Sequence, residues 1–376
     1  MSPAIRTLGV PKETKTLEGR IAITPDGVRE LTQRGVTVLV ETAAGAAASL
    51  PDSEYEAAGA RIVPGAADAW SAELVVKVKE PTRDELAHLR PDLTLFTYLH
   101  LAAYPHVAEA LQKNKTTALA YETVQTANGA LPLLAPMSEI AGRLATQAAA
   151  HWLQRPYGGR GVLMGGAPGV RPARVVVIGA GNVGWNAAWI AAGMQAEVVL
   201  MDRNIDRLRH LEQIAVGRVT TLTANRGAIE RSVADADVVV GAVLVPGGRA
   251  PVVVDEDMVR GMKPGAVVVD VAVDQGGCIA TTRETTHSDP VYEKHGVVHY
   301  AVGNMPGAVP YTSTYALTNA TLPYVVQLAT LGARAAVAAD PALALGVNTV
   351  AGSLTHRATA DALGATYVDP LAALGN

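Results

Sequence analysis

At 376 residues the chain is long enough for two domains that each bury a core. With 49% hydrophobic and 18% charged residues it fits a packed globular protein and leaves little room for disorder. A formal charge of -4 with no run of Lys or Arg gives no basic field for nucleic acid, and the single cysteine, Cys278, excludes an intrachain disulfide or a cysteine metal cluster.

The N-terminal stretch MSPAIRTLGVPKETK lacks an apolar signal core. No stretch reads as the roughly 18 apolar residues of a membrane span, so a cytoplasmic enzyme or binding protein is expected. RTLGVP reads as a strand. TPDGVRELTQRG reads as a helix, with Thr24 as N-cap, Pro25 at the first helical position and Gly35 as its stop. VTVLVET follows as a strand and SEYEAAGA as a short helix. ELVVKVKEP and LTLFTYLH are further strands around a helical RDELAHL, and PHVAEALQKNK is a helix before the strand TALAYETV. Strands alternating with helices imply a parallel sheet covered on both faces, a Rossmann-like unit with no glycine fingerprint.

Met137 to Leu153 carries apolar residues at helical spacing, and the Gly-rich GGRGVLMGGAPGV after it reads as a loop into a second sheet. Alternation resumes with ARVVVIG, AEVVLMD, ADVVVGAVLV and GAVVVDVAVD, whose unbroken Val/Ile/Leu runs suit strands buried on both faces. After about residue 306 the pattern is helical, and the Ala-rich tail from Ala333 to Ala344 is helix-forming.

Gly179-Ala180-Gly181-Asn182-Val183-Gly184 matches G-x-G-x-x-G between a strand and a helix. The first Gly permits a tight turn, the second a close approach of backbone N–H groups to a pyrophosphate, and the third close packing of helix on strand. Asp202 ends the next strand, 202 − 179 = 23 residues on, where an acid accepts ribose hydroxyl bonds and repels a 2′-phosphate. That spacing predicts NAD rather than NADP, with Arg203 next door as a partial offset.

In open α/β sheets ligands bind beyond the carboxyl ends of strands. Arg20, Lys79, His100 and Asp274 all fall at such ends: two cations for a carboxylate, an imidazole for proton transfer and a second acid-base group. The alternative for His100 is a satisfied histidine at a core edge. Asp270, which reads as mid-strand, is the alternative carboxylate to Asp274. Met137 and Met305 more often serve packing, although both lie at inferred domain junctions. No metal is expected, because no His/Asp/Glu cluster has ligand spacing.

Taken together, GVPKETK, GRIAITPDGV, VVKVKEP, TYLHLA, AYETVQTANGALPLLAPMSEIAGR, GGRGVLMGG, VIGAGNVG, GAVLVPG, DVAVDQGG and GNMPGAVPYTSTYALTNATLPYV closely resemble the alanine dehydrogenase family, over most of the chain up to about residue 325. The resemblance implies an α/β fold of two Rossmann-like, doubly wound parallel-sheet domains, with the NAD domain (131–306) inserted into a substrate domain (1–130, with C-terminal helices 307–376). It implies NAD as cofactor and reversible oxidative deamination of L-alanine to pyruvate and ammonia, in a cytoplasmic homo-oligomer, a hexamer.

By the same resemblance Arg20 and Lys79 bind the substrate carboxylate, His100 transfers protons and Asp274 is the second catalytic group. Ser138, Asn182, Val183, Asp202, Arg207, Val243, Leu244, Val271, Asp274 and the VGNMP loop (Val302, Asn304 and Met305 among its residues) surround NAD. Ala224 stands where the family often has a serine near the pyrophosphate. Closure of the domains on substrate is expected. The rival readings are the NAD-binding component of a transhydrogenase-like system, a saccharopine-type amino-acid dehydrogenase, and a non-catalytic NAD sensor.

Overall fold

The computed structural model describes residues 4–215, 217–243 and 250–375. The chain divides into two compact units, residues 1–137 with 307–376, and residues 138–306. In chain order the strands are β1 (Thr7–Val10), β2 (Thr37–Glu41), β3 (Arg61–Val63), β4 (Leu74–Val76), β5 (Thr94–Thr97), β6 (Thr117–Ala120), β7 (Arg174–Ile178), β8 (Glu197–Asp202), β9 (Val219–Thr223), β10 (Val238–Gly241), β11 (Val267–Asp270), β12 (Val291–Lys294), β13 (Val297–Tyr300), β14 (Val347–Val350) and β15 (Ser353–Leu354).

The first unit holds an eight-stranded sheet in the order β15-β14-β6-β5-β4-β1-β2-β3. β1 to β6 are parallel throughout, and the order reverses between β1 and β4, the switch point of a doubly wound sheet. β14 runs antiparallel to β6 and β15 antiparallel to β14. The sheet is therefore mixed, and the C-terminal segment contributes two strands as well as the expected helices. Thr24 caps the helix Pro25–Thr32, its Oγ1 accepting from the Gly27 amide at 3.4 Å, and Gly35 leaves the turn at φ 84°.

The second unit holds a seven-stranded sheet, β12-β13-β11-β10-β7-β8-β9, with its own reversal between β7 and β10. Only β12 is antiparallel. The valine runs are explained by two-sided burial. Val175 and Val177 of β7, Val238 and Val240 of β10, and Val267 and Val269 of β11 enter one core, while Val176, Val239 and Val268 enter the other. β9 and β12 were not legible as strands because Thr-rich VTTLT and the polar VYEK lack such runs, and β13 (VVHY) because its apolar run is only two residues.

Several runs read as long strands are shorter than they look. β4 stops at Val76, β5 at Thr97, β10 at Gly241 and β11 at Asp270, so Lys79, His100 and Asp274 sit in the turns beyond. Helix Pro310–Ala339, part of the first unit, is long and apolar enough by length and composition to cross a membrane, which the sequence reading did not anticipate. It contains Pro323 and breaks at Gly332 (φ 75°). Its Thr314 hydroxyl accepts from the Ile21 amide at 3.2 Å, tying it to the loop that carries Arg20.

Candidate active site and nucleotide turn

In the first unit, four neighbouring parallel strands, β1, β4, β5 and β6, send their C-terminal ends to one edge of the sheet. The chain beyond β1 carries Glu13, Glu18 and Arg20, that beyond β4 carries Lys77 and Lys79, that beyond β5 carries His100, and that beyond β6 carries Glu122. Arg20 and Lys79 thus follow the two strands that flank the switch point.

Arg20 is 2% exposed and is held by Glu18, whose carboxylate takes the guanidinium from Nε at 2.6 Å and from Nη2. Nη1 lies 2.9 Å from the Sδ of buried Met137. Met137 is packing, as its sequence context suggested, but packing placed on this guanidinium. Burial pulls the Arg20 guanidinium down, and its bonds and charge pairing with Glu18 outweigh that, leaving it above its ordinary value. The sequence marks Arg20 as one of two cations for a carboxylate and gives no sign that Glu18 already pairs with it.

Lys79 is reached by a second buried network that sequence reasoning also missed. Lys77, fully buried, pairs with Glu85 at 2.6 Å and Glu13 at 3.2 Å. The Glu13 carboxylate also accepts from the amides of Val78 (2.6 Å) and Lys79 (3.4 Å), fixing the backbone that presents Lys79. Desolvation raises the Glu13 carboxyl, with Lys77 opposing it. The neighbouring Glu80 feels burial first, yet its bond to Lys15 at 2.7 Å and the charge of Lys79 hold it below its ordinary range. Strand alternation would put Lys77 and Lys79 of LVVKVKEP on one face; β4 ends at Val76, and the turn beyond it buries Lys77 while leaving Lys79 partly exposed.

His100 has a left-handed backbone (φ 48°) and a side chain 35% exposed. It is therefore not a histidine sealed in a core edge. Its amide donates to Glu122 at 2.6 Å, the Leu99 amide donates to the same carboxylate at 3.2 Å, and the His100 Nδ1 lies 3.9 Å from it. Tyr98, two residues earlier and buried, donates its hydroxyl to the Leu133 carbonyl at 2.6 Å, and burial raises that phenol well above its ordinary value.

In the second unit the glycine turn has the backbone that its spacing predicts. Gly179 sits at φ 101°, and a methyl group there would meet the carbonyl of Ala242 at 2.5 Å. A methyl on Gly184 would strike the Gly179 carbonyl, so helix Asn182–Gly193 packs on β7 only without it. Around Gly181 a methyl would meet nothing within 4 Å among the described residues, so there the helix N-terminus faces open space. The open backbone at Gly181 and the chemistry of Asp202 fit a dinucleotide pyrophosphate and ribose.

Asp202, the last residue of β8, accepts from the Ala180 amide at 2.7 Å and the Asn204 amide at 2.8 Å, and pairs with Arg207 at 3.3 Å. Ser138 lies in the first turn of helix Ala135–Trp152, one turn before Gly142, where a methyl would strike the Val183 carbonyl. Gly142, which sequence reasoning passed over, lets helix Ala135–Trp152 pack closely on the Asn182–Val183 end of helix Asn182–Gly193. Arg143 donates to Asn186 at 2.9 Å across the same contact. Val243 and Val271 are partly buried against the two cores beside β10 and β11; Leu244 lies outside the described residues.

Asp270 is the last residue of β11 rather than mid-strand, and it is fully buried. It accepts from the amides of Ala272 (3.0 Å), Cys278 (3.0 Å) and Ile279 (3.1 Å) and from the Thr282 hydroxyl (2.6 Å), which makes it the clamp of its own loop. Desolvation raises it, and those bonds oppose the rise. Asp274 is exposed in the short turn Val273–Gln275 and accepts from the Asn304 amide at 3.4 Å. Asn304 has a left-handed backbone (φ 59°) between buried Val302 and Met305, so the VGNMP loop is anchored in the core and tethered to Asp274. Among the described residues no group of three or more His, Cys, Asp or Glu is placed to hold a metal ion.

Comparisons with known proteins agree on one relationship. Residues 9–141 match the family model "Alanine dehydrogenase/PNT, N-terminal domain" and residues 145–357 match "Alanine dehydrogenase/PNT, C-terminal domain". The chain is 54% identical over 363 residues to an alanine dehydrogenase of Mycolicibacterium smegmatis, covering 96% of this chain and 98% of that one. It is 53% identical over 364 residues to that of Geobacillus stearothermophilus, with coverage of 96% and 98%. A solved L-alanine dehydrogenase superposes with TM-score 0.92 at 52% identity, covering 95% of this chain and 99% of that chain. A transhydrogenase from Sinorhizobium meliloti superposes with TM-score 0.79 at 25% identity, covering 94% and 99%.

Proposed function

The chain belongs to the alanine dehydrogenase family, and from that premise we propose how its residues divide the family's reaction, L-alanine + NAD + water to pyruvate + ammonia + NADH. The enzyme is an NAD-dependent oxidoreductase. The assignment of roles rests on one observation above all: Arg20, Lys79 and His100 follow neighbouring parallel strands, at the edge where open α/β sheets bind ligands.

Arg20 and Lys79 bind the substrate carboxylate. Glu18 takes the Nε–Nη2 edge of Arg20 and holds the guanidinium in one orientation, so Arg20 offers the carboxylate its Nη hydrogens and Lys79 supplies the point charge. NAD, when bound, accepts the hydride from the substrate α-carbon. Gly179, Gly181, Gly184, Asn182 and Val183 would hold its pyrophosphate, Asp202 its ribose, and Ser138, Arg207, Val243, Val271, Val302, Asn304 and Met305 would line the rest of its path.

Loss of hydride leaves an iminium, which water attacks to give a carbinolamine; collapse of the latter releases ammonia and forms pyruvate. His100 and Asp274 share the proton transfers at that water and at the substrate oxygen, since an imidazole nitrogen can both take and return a proton. The oxygen of Asp274 that accepts from Asn304 also keeps the VGNMP loop in register with the turn after β11. We assign substrate to the unit of residues 1–137 and 307–376 and NAD to the unit of residues 138–306, a boundary seven residues later than the sequence suggests. We propose that the protein works in the cytoplasm as a homo-oligomer, the hexamer of the resemblance, which sedimentation would test.

NADH formation at alkaline pH with L-alanine, against D-alanine, glycine, L-serine and L-lysine, tests the substrate reading. His100→Ala and Asp274→Ala are expected to abolish turnover while NAD still binds. Near-normal rates in either variant remove that residue from the mechanism, and L-lysine-dependent turnover would favour a saccharopine-type enzyme.

A further inference from the structure

We propose that Glu122 is a positioning residue for the reaction, acting through His100. The inference rests on the proton-transfer role given to His100 above. Past β5 the chain turns at His100 in a left-handed conformation, which a non-glycine residue adopts at a cost and keeps only when its surroundings impose it. The imposing group is the Glu122 carboxylate. It accepts two successive amides, Leu99 at 3.2 Å and His100 at 2.6 Å, that point the same way only because the backbone is in that conformation.

Glu122 is itself placed by the parallel pairing of β5 with β6, in the short turn Tyr121–Thr123 that follows β6 directly. Its side chain is 15% exposed, so the charge is screened only in part by solvent. The same carboxylate lies 3.9 Å from the His100 Nδ1. A negative charge on that side favours the proton on Nδ1 and leaves Nε2 as the nitrogen that takes and returns a proton. Glu122 therefore fixes both where the imidazole stands and which of its nitrogens does the work, as a carboxylate behind a histidine does in other enzymes.

Glu122→Gln tests this with the fold preserved, because an amide oxygen still accepts the two backbone bonds while the charge is lost. The full-length enzyme is expected to lose at least tenfold in kcat, with KM for L-alanine and Kd for NAD within twofold of the parent. Glu122→Asp, which keeps the charge but withdraws it by one methylene, is expected to fall between. In a His100→Gln background, followed over hours to read slow turnover, Glu122→Gln is expected to add less than twofold. A kcat within twofold of the parent overturns the proposal, as does a full tenfold loss that persists in the His100→Gln background. Parent-like turnover in His100→Gln alone is a separate result: it removes the role of His100 itself.

Discussion

The Ala180 amide donates to the Asp202 carboxylate at 2.7 Å, so the acid that ends β8 also clamps the glycine turn that ends β7. One side chain thus clamps the glycine turn and sets a negative charge at the end of β8, where we propose that the ribose binds.

Asp202→Ala removes both effects. NAD affinity is expected to fall at least tenfold, in line with the roughly 1.5–3 kcal/mol of a hydrogen bond to a charged group. Arg207 loses its partner and exposed Arg203 faces no neighbouring acid at that position, so the NADP-to-NAD ratio of kcat/KM is expected to rise. Steady-state kinetics with both cofactors decide it, and an unchanged ratio would sink the role of Asp202 in cofactor choice.

Gly181 and Gly184 are predicted to fail in different ways. Gly181→Ala places a methyl in open space at an ordinary backbone angle (φ -76°), so stability should change by no more than about 1 kcal/mol while NAD binding is lost. Gly184→Ala drives a methyl into the Gly179 carbonyl and should cost folded protein whether or not NAD is present. Calorimetric NAD titration beside thermal unfolding separates the two; equal losses of stability would contradict the assignment.

Lys77→Met leaves Glu13 and Glu85 buried without their cation. Breaking a buried ion pair from one side costs about 3–5 kcal/mol, and here the damage is expected first at the backbone of Val78 and Lys79, which Glu13 holds. Hydrogen exchange of a peptide spanning Leu74 to Lys79 should accelerate. Adding Glu13→Gln and Glu85→Gln should restore part of the loss, because no charge then remains buried alone.

His299 supplies a pH dependence. It is fully buried, with Nε2 2.7 Å from the Thr281 hydroxyl and Nδ1 2.9 Å from the Val297 carbonyl, and burial depresses its pKa. The unfolded imidazole takes a proton near pH 6.5, and the folded one resists. The unfolded chain therefore binds more protons as pH falls, so stability present above about pH 6.5 is lost below it. Urea midpoints between about pH 7.5 and pH 5.5 should decline, and His299→Gln should flatten that decline. An equal slope in the variant would assign the effect elsewhere.

The nucleotide half of the site was legible because its residues are contiguous. A strand, three glycines and a closing acid lie within one βαβ unit, and Gly179 and Gly184 sit where an added methyl would strike backbone, as their spacing predicts. The substrate half was legible only as a set of strand-end titratable groups. What escaped was their partners: Glu13 meets Lys77 and Glu122 meets His100 from segments far apart in sequence, while Glu18 lies only two residues from Arg20 but in a loop with no regular pattern to mark it as buried. Strand lengths were overread for the opposite reason, since apolar residues continue past Val76, Thr97 and Gly241 after the hydrogen-bonded ladder has ended. The antiparallel strands β14 and β15 were missed in a segment whose composition favours helices.

The pairing of β14 with β6 has a consequence during synthesis. The strand Thr117–Ala120 is buried in the finished protein, yet its outer partner is Val347–Val350. A ribosome adding about 5–20 residues each second needs on the order of ten to fifty seconds to make the intervening chain. Through that interval the nascent first unit offers an unpaired apolar edge, the kind that joins neighbouring chains. Residues 138–306 meanwhile have all the strands of their own sheet and can fold first. The late arrival of two short strands is thus what seals the edge beside β6, the strand that leads into Glu122.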